Sequence, residues 1–544
     1  MNLSEYLDYP NEDYLTYNEV SEVLGVSTAT VRNWVKLGHI QPAAIQQNNR
    51  FLRSHIEEIR NKITNGSLTK LNQRANKSNS ISKIIPTEYA DNPKVCESIL
   101  TITDLFKRHN LNRDSVLLVT ALNLLRQVGL IRETQFLSLN DINFTNKIVK
   151  SEIETWLDNT KDRELPHYYN EVFDISIPLN CDFLGLLHQS LLYEGERAKT
   201  GTYYTPKHIV DEVVTQNIKS SDLVLDPCCG TGQFLLIASE KIDNPSNLWG
   251  FDINENAVRL AKINLLLKFP QHRFNPNIYH KNTLSDDGKD IPQFDLVITN
   301  PPWGSHFSKD EELLLKKKYP NVKSNEAFAY FLEAGIGYLK EGGILSFILP
   351  EAILNTKIHK DIREKILKQT TIKRIKHFKR PFDGVFTNAI QLDLVNKIAD
   401  ENAFIAEKDD SLFHTKQTRL VSNQDFIFDV FTNARDYELT DKVFSVKHNT
   451  LKNNAIWALG IVTGDNKKHL QENNGEGFEP ILTGKDIKRF CTKKPSKFIR
   501  FLPNGFQQVA PEEKYRAKEK LLYKFISKQL VFAYDDRQTL TLSN

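Results

Sequence analysis

Residues 223–238 read LVLDPCCGTGQFLLIA, and this stretch decides the fold. An apolar run ends at Asp226, a turn with Gly230 and Gly232 follows, and a second apolar segment comes directly after the turn. Glycine lets the backbone turn tightly and approach a ligand closely, between the carboxyl end of a strand and the start of a helix. The turn lacks the Gly-Lys-Ser/Thr ending of a P-loop, so it does not predict a nucleoside triphosphate site.

The next apolar run, LWGFD, ends at Asp252, where a carboxylate can accept hydrogen bonds from both hydroxyls of a ribose. Strand, glycine turn and acidic strand end fit either a dinucleotide or S-adenosylmethionine. An ordinary strand–helix turn with incidental glycines is the alternative. Cys228 and Cys229 are adjacent, which is a poor spacing for zinc, and no second pair follows. We therefore expect both cysteines to be small residues that line the turn.

The surrounding sequence alternates between short apolar runs and amphipathic segments from about residue 201 to residue 395, which predicts a mostly parallel sheet with crossover helices. The runs are LVLD, LWGFD, FDLVITN, GGILSFILP, IKRIKHF and NAIQLDLV. Upstream, from residue 95 to about residue 192, apolar residues recur every three or four positions, which indicates helices. Residues 61–85 are rich in Asn, Ser, Lys and Thr and contain no acid, so we interpret them as a linker.

Composition limits the class of protein. The chain has 544 residues, with 71 Lys and Arg against 68 Asp and Glu, and a net charge of +3. This total excludes a histone-like polycation but not local basic faces. Five cysteines exclude a disulfide-stapled secreted scaffold. The first twenty residues carry five acids and no base, unlike a secretory signal, and no apolar run reaches the ~18–20 residues of a membrane span. We expect a cytoplasmic, multi-domain protein.

The most specific motif is FDLVITNPPWG, residues 294–304. A buried strand ends at Asn300, and Pro301 and Pro302 remove two backbone donors and leave their carbonyls as acceptors. Together with the side-chain carbonyl of Asn300, two acceptors facing one point suit an exocyclic amino group with two N–H donors. Trp303 offers a flat face on which a base can stack. A strand-ending proline turn with a packed tryptophan is the alternative.

DPCCGTG, FDIN and NPPW, in this order, resemble the motifs of the gamma group of adenine-N6 DNA methyltransferases, the TaqI-type enzymes of restriction–modification systems. Segment 201–206, GTYYTP, looks like the part of that family that covers the methyl donor. Segment 382–395, FDGVFTNAIQLDLV, looks like its late motif, in which an aromatic residue stacks on the flipped adenine. The resemblance covers about residues 183–544. It implies an α/β fold whose core is a Rossmann-like, seven-stranded, S-adenosylmethionine-dependent methyltransferase domain.

The resemblance also implies roles for individual residues. By position, Phe386 stacks on the adenine, with Phe382 as the second choice. The family's Asp near the end of its third strand corresponds to Asn282, which carries no charge, and Trp303 replaces a more common Tyr. The implied catalytic residues are Asn300, Pro301, Pro302, Trp303 and Phe386. The implied cofactor-binding residues are Thr202, Tyr204, Thr205, Pro206, Asp226, Gly230, Gly232, Asp252, Ile253, Asn282 and Asn300.

The N-terminal stretch from residue 14 to residue 40, YLTYNEVSEVLGVSTATVRNWVKLGHI, predicts a helix-turn-helix. Residues 18–24 form its first helix, Gly25 makes the turn and Ser27 caps the second helix. As far as residue 63 the module resembles the small winged modules of MerR and excisionase proteins. Such modules usually bind DNA, although some mediate only protein contacts. The candidates for DNA contact are Thr28, Thr30, Arg32, Asn33 and Lys36.

Segments 481–490, ILTGKDIKRF, and 530–544 resemble pieces of the TaqI-type target-recognition domain. Residues 485–528 hold 13 basic and 4 acidic side chains with interleaved aromatic residues, which favours phosphate contact, with Lys488 and Arg489 as candidates. A specificity domain usually needs on the order of 100 residues. The recognition region is therefore expected either to begin near Ala403 or to be completed by a second polypeptide.

We predict five regions: a helix-turn-helix module at 1–63, a linker at 64–90, a helical region at 91–195, a methyltransferase catalytic domain at 196–400 and a mixed target-recognition region at 401–544. The predicted enzyme transfers a methyl group from S-adenosylmethionine to N6 of a flipped adenine in double-stranded DNA, at a specific site. The alternatives are an RNA or protein-glutamine methyltransferase, which also use Asn-Pro-Pro-aromatic turns, and a DNA-binding regulator with an inactive methylase body.

Several partners follow from this prediction. Double-stranded DNA is the expected substrate, and the chain is expected to be the modification half of a restriction–modification system. A cognate restriction endonuclease acting at the same site and a separate specificity polypeptide are the candidate protein partners. The scattered histidines have no evident metal-ligand spacing, so neither a metal nor a membrane is expected among the partners.

Overall fold

The computed structural model describes residues 14–24, 28–36, 40, 42, 51–64, 92–132, 142–159, 169–179, 182–191, 204–304, 307–382, 387–451, 454–527 and 529–543. They belong to two compact units, Met1–Tyr437 and Glu438–Asn544. Within the described ranges, no helix is both long enough and apolar enough to span a bilayer.

In the described part of the N-terminal module there are three helices and a two-stranded antiparallel ribbon. They are α1 (Tyr17–Leu24), α2 (Thr28–Lys36), α3 (Arg53–Thr64), β1 (Tyr14–Leu15) and β2 (Phe51–Leu52). Val20, Leu24 and Val31 are buried, as their helical spacing predicts, and Trp34 joins them in one small core. Gly25 and Ser27 lie outside the described residues. Helix α3 ends at Thr64, so it includes the first residues of the Asn-, Ser- and Lys-rich segment 61–85.

Among the residues described between 92 and 191, five helices follow: α4 (Pro93–His109), α5 (Arg113–Gln127), α6 (Lys147–Asn159), α7 (Tyr169–Phe173) and α8 (Phe183–Leu191). Helix α4 shows how the sequence sets these boundaries. The Asn92 side chain accepts a hydrogen bond from the Lys94 backbone, proline occupies the first turn, and the helix ends at Asn110 in the left-handed region. The apolar faces of these helices pack into the same core as Val224 and Leu248 of the sheet, so the described helices share the core of the sheet.

Nine strands of the described chain form one sheet in the order β11-β10-β8-β9-β7-β6-β3-β4-β5. Strands β9 and β11 run in the opposite direction to the other seven. The pairs β7–β9, β8–β9 and β10–β11 are therefore antiparallel, and the other neighbouring pairs are parallel. The strands are β3 (Val224–Asp226), β4 (Leu248–Asp252), β5 (Asn277–His280), β6 (Phe294–Thr299), β7 (Leu339–Pro350), β8 (Thr371–Lys379), β9 (Ala389–Val395), β10 (Ala403–Lys408) and β11 (Ser411–Lys416).

The predicted fold class is confirmed. Strands β3 to β9 form the seven-stranded core, and all six predicted apolar runs are strands in it. The sheet extends further, because β10 pairs with β8. The predicted end of the catalytic domain at residue 400 therefore does not coincide with the edge of the sheet. The crossover helices between its strands are α10 (Gln233–Ala238), α11 (Glu255–Lys268), α12 (Lys309–Lys318), α13 (Ala327–Gly337) and α14 (Lys360–Gln369), while α9 (Lys207–Thr215) precedes β3 and α15 (Gln417–Ser422) follows β11.

The strand order changes direction between β3 and β6. From β3 the chain moves outward through β4 to β5, and it then returns to the other side of β3 to form β6. In open α/β sheets a crevice forms outside the carboxyl ends of the strands at such a point, and ligands bind there. The glycine turn follows β3 and the Asn-Pro-Pro-Trp turn follows β6, so the topology brings both motifs to this crevice.

The second unit has a four-stranded sheet, in the order β12-β16-β13-β19, and two hairpins, β14–β15 and β17–β18. Its strands are β12 (Leu470–Gln471), β13 (Glu479–Leu482), β14 (Ile487–Lys488), β15 (Cys491–Thr492), β16 (Lys497–Ile499), β17 (Lys520–Tyr523), β18 (Phe532–Asp535) and β19 (Leu540–Thr541). The remaining helices are α16 (Ala434–Ser445), α17 (Asn466–His469) and α18 (Glu512–Tyr515). Ile481, Ile499 and Leu540 belong to its main core.

Candidate active site

The glycine turn after β3 has the backbone that its sequence predicts. Gly230 and Gly232 have φ angles of +52° and +91°, in the region that side chains disfavour. A β-carbon on Gly232 would lie 3.3 Å from the Ala261 β-carbon, whereas a β-carbon on Gly230 would project into open space. Gly230 therefore leaves room beside the turn, and Gly232 lets the start of α10 pack closely on α11.

Asp252, at the end of β4, is hydrogen-bonded to the glycine turn that follows β3. Its Oδ2 accepts a hydrogen bond from the Gly230 backbone at 2.8 Å, and its Oδ1 accepts one from the Asn254 backbone at 2.8 Å. Each carboxylate oxygen retains a further lone pair with which it can accept a hydroxyl. Burial raises the pKa of this carboxyl, partly offset by those backbone donors. Ile253, directly after it, is a 67% exposed apolar side chain beside the turn.

Asp226, at the end of β3, is buried at the point where β3 and β6 meet. Its Oδ1 accepts hydrogen bonds from Thr299 Oγ1 at 2.6 Å and from the Cys228 backbone at 3.2 Å. Burial raises the pKa of this carboxyl to about 7, with the hydrogen bonds acting in the opposite direction. A carboxyl that titrates near neutral pH is unusual, and such groups concentrate at ligand sites.

Asn300 follows β6 with its side-chain amide in a fixed orientation. The Nδ2 group donates to Thr205 Oγ1 at 3.2 Å. This bond directs Oδ1 away from Thr205, and among the described residues the buried Oδ1 accepts no hydrogen bond. A buried acceptor without a partner carries a desolvation penalty that an incoming N–H donor would relieve. Pro301, which follows it, is buried and has no N–H group to compete for that donor.

Trp303 is half-buried at the same turn. Its indole N–H donates to the Ile348 carbonyl of β7 at 3.3 Å, which fixes the ring. Phe382 packs against this ring edge-to-face, with centroids 5.2 Å apart, and is itself only 4% exposed. Phe382 is thus a buried support for Trp303 with little free ring surface of its own. Phe386, the preferred candidate for stacking, lies outside the described residues.

The segment before α9 lies against the glycine turn. The Thr205 carbonyl accepts a hydrogen bond from Gln233 Nε2 at 2.6 Å, and Pro206 precedes the first turn of α9. Tyr204 is half-buried, whereas Thr202 lies outside the described residues. Asn282 is an exposed residue in the turn after β5, and its Oδ1 accepts from the Leu284 backbone at 3.0 Å. The structure therefore places the described cofactor candidates near the carboxyl ends of the central strands.

Asp182 is a residue of this neighbourhood that the sequence analysis missed. It precedes α8, and its carboxylate is buried and accepts four hydrogen bonds, from the Gly185 backbone and from Asn264, Thr231 and Tyr204 side chains, at 2.7–3.3 Å. Burial raises its pKa to about 6. An Asp before an apolar helical run signals only a helix cap in sequence. The long-range bonds to Thr231 and Tyr204 tie the helical region to both cofactor segments.

The DNA-contact candidates of the N-terminal module are described only in part. Arg32 is exposed on α2, with its guanidinium carbon 5.8 Å from the centre of the Tyr17 ring. The Thr28 hydroxyl donates to Asn18 Oδ1 at 3.3 Å, so it is already used within the module. The side chains of Thr30, Asn33 and Lys36 lie outside the described ones.

Residues 368–380 contain six Lys and Arg side chains and no acid, but several of these charges are paired with acids from other segments. Arg374 and Lys376 of β8 both pair with Glu407 and with Glu212, which come from β10 and α9. Lys379 pairs with Asp409. In the second unit, by contrast, Lys488 and Arg489 are exposed at the β14–β15 hairpin. Within the part of the chain that the structure describes, no three His, Cys, Asp or Glu side chains cluster as metal ligands would.

Comparison with known proteins places this site in a family. Residues 181–455 match the family described as N-6 DNA methylase, and these residues include both strand-end motifs and the Asn-Pro-Pro-Trp turn. The chain belongs to the N-6 DNA methylase family. Its methyl donor is S-adenosylmethionine. Residues 479–544 match a TaqI-like C-terminal specificity domain, and residues 14–62 match a helix-turn-helix domain.

Relatives of the chain include the type II methyltransferase M.VspI of Vibrio sp. (strain 343), which is 31% identical over 56% of this chain and 74% of that protein. The methylase subunit of the type I restriction enzyme EcoEI of Escherichia coli is 26% identical, over 46% of this chain and 54% of its own length. This chain therefore spans about half the length of the EcoEI methylase subunit. The chain is homologous to methyltransferases of type I and type II restriction–modification systems.

Solved structures agree with the fold. The type IIL restriction-modification enzyme MmeI, in complex with DNA, has a TM-score of 0.50 at 14% identity and covers 83% of this chain and 82% of its own. The DrdV–DNA complex also has a TM-score of 0.50, at 13% identity, over 88% of this chain and 62% of that one. At such low identity these likenesses support the fold alone.

The described residues fit S-adenosylmethionine. Gly230 leaves open space beside the turn, Asp252 presents carboxylate oxygens for a ribose, and exposed Ile253 offers an apolar surface to a flat ring. Asp226 adds a carboxyl that can become an anion near a cationic donor. These features accommodate a nucleoside, a ribose and a positive charge, which are the chemical parts of this cofactor.

Proposed function

We propose that the chain methylates N6 of an adenine in double-stranded DNA at a specific site, as the modification enzyme of a restriction–modification system. The observation that carries the proposal is the unpartnered Asn300 Oδ1, a buried acceptor at the end of β6. Family membership supports the cofactor and the class of reaction. The proposed catalytic residues are Asn300, Pro301, Pro302, Trp303 and Phe386, and the proposed cofactor-binding residues are those of the segments after β3, β4 and β5 and before α9.

The difficulty of this reaction lies in the nucleophile. The N6 lone pair of adenine is delocalised into the ring, so the amino group attacks poorly. Two acceptors, Asn300 Oδ1 and the Pro301 carbonyl, would each take an N–H hydrogen bond and favour a pyramidal nitrogen. Bound S-adenosylmethionine supplies an electrophilic methyl group on a sulfonium sulfur. The role of the protein is thus electrostatic and positional, and it requires no covalent enzyme intermediate.

Thr205 has a positioning role in this arrangement. An Asn side chain can present either its oxygen or its nitrogen to a substrate, and the two have opposite hydrogen-bonding character. The Thr205 hydroxyl accepts from Asn300 Nδ2 and so holds the oxygen toward the site. Trp303, fixed by its bond to Ile348 and by Phe382, would stack on the base, which must leave the duplex to be reached.

Two alternatives differ from this proposal, one in substrate and one in having no activity. An RNA or protein-glutamine methyltransferase can use the same Asn-Pro-Pro-aromatic turn, but the TaqI-like specificity match and the helix-turn-helix match favour DNA. A regulator with an inactive methylase body would not require the intact turn at Gly230. It would also gain nothing from a buried Asn300 Oδ1 without a hydrogen-bond partner, which is unfavourable for folding. We therefore propose an active enzyme whose second unit contributes to target recognition.

The direct test is to incubate the purified chain with tritium-labelled S-adenosylmethionine and plasmid DNA and to digest the product to nucleosides. We expect label in N6-methyladenine alone, at a defined set of sites. Yeast RNA and a glutamine-containing release-factor peptide serve as alternative substrates. Label in RNA or peptide, or none in DNA with or without a neighbouring specificity polypeptide, would overturn the proposal. Activity that requires the added polypeptide would identify it as a partner.

Cofactor binding should depend on pH through Asp226. Its pKa of about 7 in the free chain means that it must lose a proton to become the anion that a cationic donor favours. Binding then releases a proton, so affinity rises as pH increases through 7. The wild-type Kd for S-adenosylmethionine should be about tenfold weaker at pH 6 than at pH 8.

Asp226→Asn is the matched control for this pH dependence. The variant binds more weakly at pH 8, because it cannot become an anion, and its Kd should vary less between the two pH values. Titrations in buffers of different ionisation enthalpy count the protons released. The amino group of the donor titrates in both experiments, so the difference between the two proteins isolates Asp226. Equal pH dependence in both proteins would remove Asp226 from the cofactor site.

A further inference from the structure

The β14–β15 hairpin of the second unit presents an aromatic ring at its tip. Lys488 pairs with Cys491 across the hairpin, so Arg489 and Phe490 form a two-residue turn. Phe490 has a φ angle of +68° and its residue is 75% exposed. A bulky residue with positive φ is strained, and a side chain in water gains nothing from folding that would offset the strain. The local structure therefore gives no reason for a phenylalanine here.

The backbone of this tip is nevertheless held firmly. The Phe490 N–H donates to the Phe532 carbonyl of β18 at 2.6 Å, and Phe490 forms a bridge with Ala533. Beneath it, Ile487 and Ala533 are buried in a small core. A strained conformation persists only when its surroundings determine it, and strain of this kind clusters at functional sites. The fold thus fixes an exposed ring in one position.

Basic residues flank Phe490 in the hairpin and on both sides of it. The exposed cations of the hairpin and its flanks are Lys485, Lys488, Arg489, Lys493 and Lys494. Within the described residues none of the five takes part in an ion pair. The one acid among residues 485–494, Asp486, is buried and accepts hydrogen bonds from Thr483 and Ser496 inside the turn. The Arg489 guanidinium carbon lies 5.1 Å from the centre of the Phe490 ring.

We propose that Phe490 inserts between neighbouring bases of duplex DNA, with the five cations around it on the phosphates. The inference rests on the proposed function, because it takes DNA as the substrate. Cations favour phosphate without regard to sequence, and an apolar wedge held among them meets the flat face of a base. Insertion unstacks a base step, and a base at a weakened step is easier to extrude.

Replacement of Phe490 by alanine should weaken the Kd for target duplex about tenfold and leave the slope of log Kd against log salt unchanged. Lys488→Gln and Arg489→Gln should instead each reduce that slope by about 0.9. Phe444→Ala is the matched control, since Phe444 is a 63% exposed phenylalanine on α16, beside His448. Its Kd and slope should equal those of the wild type.

Phe490→Gly separates a functional role from a structural one. Glycine adopts a φ of +68° without strain, so the Tm of the variant should equal or exceed that of the wild type while duplex binding falls as in the alanine variant. A clear fall in Tm would assign Phe490 a structural role and overturn the inference. 2-Aminopurine placed in turn along the target should brighten at a position other than the methylated base with wild type, and not with Phe490→Ala.

The two proposals fail in different ways. If the wild-type chain methylates DNA and Phe490→Ala binds duplex as tightly as the wild type, the wedge is wrong and the enzyme assignment stands. If alanine weakens single-stranded and duplex DNA equally and no step brightens, the ring contacts DNA without insertion, which also overturns the inference. If the wild-type chain neither binds nor methylates DNA, with or without a neighbouring specificity polypeptide, both proposals are wrong.

Discussion

Replacement of Asn300 by alanine should reduce kcat for methyl transfer by a factor of about 10²–10³, with the Kd for S-adenosylmethionine within about threefold of the wild-type value. The substitution removes an acceptor whose hydrogen bond strengthens as N6 becomes pyramidal, so the loss falls on the transition state. Single-turnover transfer of tritiated methyl groups to a target oligonucleotide measures kcat directly. Calorimetry gives the Kd separately.

Two further variants make this result specific. Thr205→Val keeps the shape of the side chain but removes the acceptor for Asn300 Nδ2, so kcat should fall by a smaller factor than in Asn300→Ala. Asn123→Ala removes another buried asparagine, one that donates to the Ile175 carbonyl at 2.7 Å in the helical region. It should lower Tm and leave kcat near the wild-type value. A kcat of Asn300→Ala within threefold of the wild type would disprove the assigned role.

The elements that local sequence determines were predicted correctly. The glycine turn, the end of β4 at Asp252 and the Asn-Pro-Pro-Trp turn are written in adjacent residues, because turn chemistry and short apolar runs depend on near neighbours. Residues 325–340 show the limit. Their sequence has the apolar pattern of one helix, but the helix ends at Gly337 because Leu339 already belongs to β7, and helical spacing alone does not reveal that competition.

The features that sequence could not predict depend on contacts between distant residues. Asp182 reaches Thr231, Asn264 and Tyr204 through the fold, and nothing in its neighbouring residues indicates this. The stretch from 368 to 380 reads as basic because its acidic partners, such as Glu212 and Glu407, lie on other elements. Strand β10 joins the sheet through pairing with β8, which no local period encodes.

The strain at Phe490 belongs to the same class. Its sequence neighbours, Lys488 and Arg489, are candidates for DNA contact because of the basic charge and interleaved aromatic residues of this region and its resemblance to a target-recognition domain. The positive φ angle and the anchoring bond to Phe532 arise only once β18 has packed beside the hairpin. Charge and aromatic content predict a region for DNA contact, whereas the backbone conformation singles out Phe490 within it. A residue that does not suit its local backbone conformation is expected mainly at functional or strained sites.

Substitution of Asp252 by alanine should weaken S-adenosylmethionine binding by roughly 10- to 100-fold, which corresponds to the loss of one or two hydrogen bonds to a charged acceptor. The carboxylate acts twice in this site. It would accept the ribose hydroxyls, and it holds the Gly230 backbone through Oδ2 at 2.8 Å. Its removal therefore affects both the ligand contact and the turn that leaves room for the ligand.

Asp252→Asn separates these contributions. One oxygen remains as an acceptor, so the turn can keep one of its two backbone bonds, and we expect a Kd between those of wild type and Asp252→Ala. Glu255→Ala is the control: Glu255 also carries a carboxylate near this turn, but it forms a surface ion pair with Arg259 in the first turns of α11. Calorimetry should give Glu255→Ala the wild-type Kd. An unchanged Kd in Asp252→Ala would contradict a ribose contact at the end of β4, and the donor would then have to bind through Asp226 and the segment before α9.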